Sequence, residues 1–128
     1  INQYGKIINQ RKVVRDADYT SLSKSNYIGL STVMFHRELL KKIKFPKLKT
    51  QEDYAVWLKL LRNGEKLYHY NKVLTHWRKS QNSLSSNIFD KIKDAFKLYY
   101  YYENKNLLLS IYSVIILGFN KLKKQHLH

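Results

Sequence analysis

Apolar residues recur at helical spacing most clearly in the segment Glu52–Asn63. Val56, Trp57 and Leu60 fall on one face of a helix there, and charged residues occupy positions between them. Gly64 follows at the position where glycine commonly ends a helix in the left-handed conformation. The pattern therefore predicts a buried amphipathic helix over Glu52–Asn63 that ends at Gly64.

Runs of apolar and β-branched residues predict strands on either side of this helix. Tyr27–Phe35 is expected to be a buried strand, and Lys66–Tyr70 and Val73–Arg78 are expected to pair through a turn. Arg37–Ile43 is predicted to be a short helix with its leucines and Ile43 on one face. It should end before Pro46, because the residue preceding a proline avoids the α-helical region.

Two more helices are predicted near the end of the chain. Asn87–Glu103 is amphipathic, with a stripe formed by Ile88, Ile92, Phe96 and Tyr99. Leu107–Leu122 is apolar almost all round. The order of the elements predicts an α/β fold class, a mixed sheet with flanking helices that is followed by a C-terminal helical pair.

The last helix leaves two interpretations open. Its apolar part, Leu107–Phe119, is shorter than the roughly 20 apolar residues that span a bilayer. Tyr99–Tyr102 precede it and a cluster formed by Lys121, Lys123 and Lys124 follows it, and such aromatic and basic flanks are typical of an interfacial helix. Packing onto the domain or onto another protein is the equal alternative.

A strongly basic charge indicates which partners the chain favours. Its 128 residues include 24 Lys and Arg against 9 Asp and Glu, which gives a net charge of +15. Such an excess favours nucleic acid, acidic lipid headgroups or phosphorylated substrates. AT-rich coding is an equal explanation, because the basic residues are spread along the whole chain. Since cysteine is absent, disulfides, thiolate zinc sites and a cysteine nucleophile are excluded.

The acidic pair Glu52-Asp53 is the first candidate for chemistry. It begins the predicted buried helix, where the helix dipole and free N–H groups stabilise a carboxylate. A carboxylate held at the edge of a cleft can act as a general base. The competing interpretation is a capping box, in which Thr50 is the N-cap and Asp53 the third helical residue. Local chemistry alone favours the capping box.

The triplet His76-Trp77-Arg78 is the second candidate. The arginine fork suits phosphate oxygens, and histidine can bind a metal or a phosphate. The alternative interpretation is an arginine in water beside a tryptophan that packs on the core.

The sequence Asp16-Ala17-Asp18 has the spacing of acids that hold a divalent metal on a nucleotide diphosphate. Motifs of that type follow a strongly apolar strand, whereas only Val13-Val14 and Arg15 precede this one. We therefore predict that neither Asp16 nor Asp18 binds a catalytic metal.

Several short motifs follow one another in order along the first two-thirds of the chain. They are Asn26–Phe35, Arg37–Leu40, Glu52–Leu58 with Asn63-Gly64, His76-Trp77-Arg78 and Asn82–Ser85. In this order they resemble the C-terminal half of bacterial family 2 glycosyltransferases. These are inverting enzymes of the GT-A type that build capsule, O-antigen and other cell-surface glycans.

The resemblance implies a role for each candidate residue. Asp53 matches the usual catalytic base for the acceptor hydroxyl, with Glu52 beside it. The positions implied to bind substrates are Ser31 and Thr32 on the acceptor side, Trp57 in the matching helix, and His76 and Arg78 facing the nucleotide diphosphate.

The resemblance also implies a partial domain. Residues 1–86 match the acceptor-side half, residues 87–128 form a C-terminal helical extension, and the nucleotide-binding donor half would precede Ile1. The chain alone is then expected to be inactive.

The partners implied by the resemblance are a nucleotide-sugar donor, a glycan or lipid-linked acceptor, and a divalent metal, Mg or Mn, with ligands mostly outside this chain. Nucleic acid is not among them. The implied location is cytoplasmic, with association to the anionic inner face of the membrane. Two rival functions stay open, a basic nucleic-acid-binding module and a membrane-surface adaptor.

Overall fold

Helices make up most of the regular structure in this chain. The computed structural model describes residues 1–10, 16–78 and 87–126. Its strands are β1 (Asp16–Ala17) and β2 (Leu67–Tyr68), and its α-helices are α1 (Tyr19–Leu22), α2 (Glu52–Arg62), α3 (Ile88–Lys97) and α4 (Leu107–His126). Short 3-10 helices cover Leu30–Thr32 and Arg37–Lys41, and a π-helical segment, Leu98–Tyr102, continues α3.

Helix α2 lies at the centre of the core. Six of its eleven residues are buried, and Tyr54, Trp57 and Leu58 have no exposed surface. They pack with Leu22 of α1 and with Tyr99 of the π-helical segment. Burial of side chains of this size supplies most of the free energy that holds the helix in place. The predicted buried helix is therefore confirmed.

The end of α2 is also confirmed. Gly64 has φ +84°, in the left-handed region that favours glycine. Its N–H donates to the carbonyl of Leu61 at 3.1 Å, and the N–H of Glu65 donates to the carbonyl of Leu60 at 3.0 Å. This pair of bonds is the Schellman motif, which satisfies carbonyls that the helix leaves free.

The strand predicted over Tyr27–Phe35 is wrong. The segment contains a 3-10 turn, and Met34 is 96% exposed. Short side chains bond to the local backbone instead: Asn26 Oδ1 accepts from the Ile28 N–H at 3.2 Å, and Thr32 Oγ1 donates to the carbonyl of Gly29 at 2.7 Å. Such bonds offer the backbone an alternative to a strand ladder.

The short helix predicted over Arg37–Ile43 is confirmed in position but is of the 3-10 type, Arg37–Lys41. Its apolar residues do not share one buried face. Leu39 and Ile43 are half-buried, whereas Leu40 is exposed.

The hairpin predicted from Lys66–Tyr70 and Val73–Arg78 is wrong. Only Leu67–Tyr68 forms a strand, and it pairs antiparallel with β1, with Asp16 opposite Tyr68 and Ala17 opposite Leu67. Within the described residues the mixed sheet expected from the sequence is reduced to this one pair.

The two C-terminal helices are confirmed, with one correction to their packing. Asn87 caps α3 by accepting the N–H of Phe89 at 3.0 Å. The predicted stripe is only partly buried, because Ile88 and Ile92 are exposed. In the described part of the chain, no helix has both the length and the apolar character needed to cross a membrane.

Candidate functional site

Asp53 lies half-buried in the first turn of α2. Its Oδ1 accepts a hydrogen bond from the backbone N–H of Tyr54 at 2.7 Å. Burial raises the pKa of Asp53 above its ordinary value, and the neighbouring Glu52 adds to the rise, while backbone hydrogen bonds from Tyr54 and Leu30 oppose it. A carboxyl whose pKa is raised toward neutrality is better matched to proton transfer than an ordinary surface aspartate.

The backbone just before the acidic pair is strained. Gln51 is the N-cap of α2 and has φ 63°, in the left-handed region, which is costly for a residue with a Cβ. Its Nε2 donates to the carbonyl of Lys91 at 3.0 Å, and its Oε1 is buried without a hydrogen-bond partner in the described residues. Strain of this kind concentrates at functional sites, where the surrounding structure enforces it.

Asp94 of α3 anchors this strained turn. Its Oδ2 accepts the backbone N–H groups of Lys49 at 3.0 Å and Thr50 at 2.9 Å, and the Thr50 hydroxyl at 3.2 Å. The predicted capping box is therefore wrong, because the Thr50 hydroxyl donates to Asp94 and Gln51 occupies the N-cap. Asp94 is buried, so it fixes the point from which α2 and its acidic pair begin.

The 3-10 turn Leu30–Thr32 lies next to Asp53. The Leu30 backbone supplies one of the hydrogen bonds to the Asp53 carboxyl. Thr75 Oγ1 donates to the carbonyl of Ser31 at 3.3 Å, which brings the residue before His76 to the same turn. The structure thus gathers three of the segments predicted to form the site. Ser31, Thr32 and His76 are all exposed there.

Trp77 and Arg78 are exposed at the end of the segment Val73–Arg78. Arg78 Nη1 donates to the carbonyls of Asn2 at 3.2 Å and Gln3 at 2.6 Å, and no carboxylate in the described residues lies within ion-pair distance of it. Trp77 is 69% exposed, so the interpretation that packs it on the core is wrong. Among the described residues, neutral carbonyls hold the guanidinium.

Trp57 lies in the core. It has no exposed surface, and its ring centroid is 5.3 Å from that of Phe35. Its Nε1 has no hydrogen-bond partner among the described residues. Trp57 therefore packs inside the protein, away from the surface where Ser31 and His76 are exposed.

Asp18 has a structural partner. Its carboxylate accepts the N–H of Ser21 at 2.8 Å as the N-cap of α1, and this hydrogen bond lowers the pKa of Asp18. The side chain of Asp16 and the motif Asn82–Ser85 lie outside the described part of the structure. Within that part, no group of three or more His, Asp or Glu side chains is placed to hold a metal ion.

Sequence patterns missed three residues that shape this site. Nothing in the sequence marks Gln51 as left-handed, because glutamine has no preference for that region. The sequence holds one signal for Asp94, because this carboxylate is next to Ala95 and lies on the side of the predicted helix opposite Ile92. Thr75 was assigned to a strand, where its hydroxyl would have had no special partner.

Comparisons with known proteins find similarity to named glycosyltransferases. The chain is 32% identical over 107 residues to the proposed teichuronic acid biosynthesis glycosyltransferase TuaG of Bacillus subtilis, a match that covers 84% of this chain and 42% of that protein. It is 32% identical over 116 residues to an uncharacterised glycosyltransferase of Haemophilus influenzae, covering 88% of this chain and 46% of the other.

A third relative has a more specific name. The chain is 36% identical over 77 residues to the Escherichia coli enzyme UDP-Glc:alpha-D-GlcNAc-diphosphoundecaprenol beta-1,3-glucosyltransferase WfaP, covering 60% of this chain and 30% of that enzyme. The chain thus spans less than half the length of the curated relatives that it matches. No family model matches it. No solved structure matches it either. The resemblance to glycosyltransferases is confirmed by these relatives.

Proposed function

We propose that this chain forms the acceptor-side half of an inverting family 2 glycosyltransferase of the GT-A type. The complete enzyme moves a sugar from a nucleotide sugar to a hydroxyl group during cell-surface polysaccharide synthesis. One observation carries the proposal: Asp53, with its raised pKa, lies half-buried beside an exposed Ser31-Thr32 turn. The similarity of most of the chain to named glycosyltransferases supports the same activity.

Asp53 is the general base in this proposal. The acceptor hydroxyl loses its proton to the Asp53 carboxylate as its oxygen bonds to the anomeric carbon of the donor sugar. The bond from that carbon to the phosphate oxygen breaks, and the nucleoside diphosphate leaves with the electron pair. Attack from the face opposite the leaving group inverts the anomeric centre. A positioned base contributes about 10²–10⁴-fold to such a step.

Glu52 assists the base through its charge. A second carboxylate next in sequence disfavours ionisation of Asp53 and so adds to the rise in its pKa. That rise makes the ionised Asp53 a stronger acceptor of the hydroxyl proton.

Exposed polar residues of the Leu30–Thr32 turn and of the segment that ends at Arg78 bind the substrates. Ser31 and Thr32 contact the acceptor next to the base. His76 and Arg78 face the diphosphate of the donor, since the guanidinium fork matches phosphate oxygens. Trp57 contributes from the core by packing under α2 and makes no direct substrate contact.

The proposed enzyme uses a divalent metal, Mg or Mn, with ligands mostly outside this chain. The described residues do not fit such an ion, because they provide no cluster of three ligand side chains. No step above passes through it. In this proposal the donor half that would hold the ion and the nucleotide lies outside residues 1–86, and residues 87–128 are the C-terminal extension.

The names of two Escherichia coli relatives suggest substrates. Both are called UDP-Glc:alpha-D-GlcNAc-diphosphoundecaprenol beta-1,3-glucosyltransferases, WfaP and WfgD. By analogy with these two enzymes, we propose a uridine-diphosphate sugar as the donor and a lipid-linked glycan as the acceptor. The reaction would take place on the cytoplasmic side of the membrane.

A transfer assay tests the function. The complete protein that carries this sequence is incubated with UDP-glucose and a synthetic GlcNAc-diphosphate-lipid, and a panel of other nucleotide sugars is run in parallel. We expect release of the nucleoside diphosphate together with a lipid product one sugar larger. Absence of transfer from every donor in the panel would contradict the proposal.

A further inference from the structure

Helix α4 is apolar on nearly every side: Val114 and Leu117 pack half-buried against the core, while most of its other large apolar side chains face solvent. Ser110 is fully buried and Ser113 nearly so, whereas Leu108 is 78% exposed and Ile115 and Phe119 are more than half exposed. Helices on a protein surface normally show the reverse, with the apolar stripe against the core. A contiguous apolar face left outward marks an interaction surface.

Hydrogen bonds hold α4 in this orientation. Lys105 Nζ donates to Ser113 Oγ at 2.9 Å, and Ser110 Oγ donates to the carbonyl of Lys105 at 3.3 Å. Near the other end, Asn120 Nδ2 donates to the carbonyl of Lys24 at 3.0 Å. The Asn120–Lys24 bond joins α4 to a distant segment of the chain, and turning the helix about its axis would break it. The outward orientation is therefore built into the fold.

Helix α3 shows the same inversion. Asp94 and Ala95 are buried, whereas Phe89 is 79% exposed and Ile88 and Ile92 are more than half exposed. The two helices contact each other. We call the outward apolar residues of both helices the α3–α4 surface: Ile88, Phe89, Ile92, Leu108, Tyr112, Ile115 and Phe119.

The charges on these two helices are mostly positive. Lys121, Lys123 and Lys124 follow the apolar part of α4, and no Asp or Glu occurs after Glu103. Lys121 of α4 lies beside Lys91 of α3, and no carboxylate in the described ranges is within ion-pair distance of either. A second copy of the chain would bring these like charges together, whereas acidic lipid headgroups would neutralise them.

We propose that the α3–α4 surface lies on an anionic lipid bilayer, with α4 parallel to the membrane plane. The apolar side chains enter the boundary between headgroups and acyl chains, and the lysines contact the acidic headgroups. The proposal concerns a surface separate from the residues around Asp53 and does not depend on sugar transfer.

Vesicle flotation of the complete protein that carries this sequence tests this surface. The protein is mixed with vesicles of phosphatidylglycerol and phosphatidylcholine, or of phosphatidylcholine alone, at low and high salt. The variant Ile115→Ser/Phe119→Ser removes two apolar residues of the surface. The matched control Met34→Ser/Leu74→Ser removes two exposed apolar residues elsewhere. All four positions are exposed, so each variant should fold, and circular dichroism checks this.

We expect the wild type and the control to float with anionic vesicles at low salt, with much weaker binding to neutral vesicles and at high salt. The Ile115→Ser/Phe119→Ser variant should lose at least about tenfold in partition, given the apolar area that its two side chains bury. Failure of the wild type to bind anionic vesicles would overturn the proposal, as would equal loss in both variants. Self-association in sedimentation equilibrium, abolished by Ile115→Ser/Phe119→Ser and without vesicle binding, would assign the surface to a second copy.

Discussion

Replacing Asp94 with asparagine should destabilise the fold far more than the same change at a neighbouring aspartate. The buried Asp94 Oδ2 accepts two backbone N–H groups and the Thr50 hydroxyl within 3.2 Å. Each hydrogen bond to a charged group contributes about 1.5–3 kcal/mol, and a buried donor left without a partner costs a similar amount. The asparagine oxygen can take the place of Oδ2 and face the same three donors, but it is neutral, so each of the three bonds becomes roughly half as strong.

The expected loss for Asp94→Asn is therefore about 3 kcal/mol, equivalent to roughly 10 °C in melting temperature for a chain of this size. Urea unfolding followed by circular dichroism measures it. Asp90→Asn on the same helix is the matched control, because the Asp90–Lys49 ion pair is 3.7 Å long and Lys49 is largely exposed. Such surface pairs contribute about 0–1 kcal/mol. Equal losses in the two variants would refute the anchoring role of Asp94.

Replacing Asp53 should change how the stability of the fold depends on pH, and replacing Gly64 should introduce backbone strain. Between the ordinary and the raised pKa of Asp53 the folded chain binds the proton more tightly than the unfolded chain, so the free energy of unfolding falls as the pH rises through that window. Asp53→Asn should remove this fall, so that its free energy of unfolding in urea rises relative to that of the wild type from acidic to neutral pH. Parallel curves of free energy against pH for the two proteins would contradict this expectation. Gly64→Ala should cost about 1 kcal/mol in thermal unfolding. The cost comes from backbone strain at φ +84° and not from a clash, because a Cβ there meets no atom within 4 Å. Gly64→Asn should cost less, because asparagine tolerates the left-handed region better.

The helices were predictable because each carries its own signal. Helix α2 shows apolar spacing and a terminal glycine, and the structure follows both to within one residue at the C-terminal end. The run Leu107–Leu122 was long enough to specify a helix without any partner. What that run did not specify was which side faces the core, because nearly every side is apolar. Hydrogen bonds of Ser110, Ser113 and Asn120 decide this, and the partner of Asn120, Lys24, is 96 positions away in the sequence.

The strands failed because a strand depends on a neighbour for its hydrogen bonds. Tyr27–Phe35 has strand-like composition, yet no neighbouring strand in the described residues pairs with it, and local bonds from Asn26 and Thr32 take over its backbone. The residues of the candidate site show the same difference between local and long-range signals. The local sequence alone predicts the acidic pair at the start of α2, whereas Gln51 and Asp94 depend on contacts between residues 40 and 44 positions apart.

The most direct test of the central claim measures sugar transfer by the complete protein with Asp53 changed to asparagine. The carboxamide has nearly the same size but cannot accept the acceptor hydroxyl's proton. Asp18→Asn is the control, because Asp18 caps α1 and is assigned no part in the chemistry. The account predicts that Asp53→Asn lowers kcat by about 10²–10⁴-fold, with Asp18→Asn close to wild type and both variants folded. Near wild-type turnover in folded Asp53→Asn would contradict the claim that Asp53 is the base.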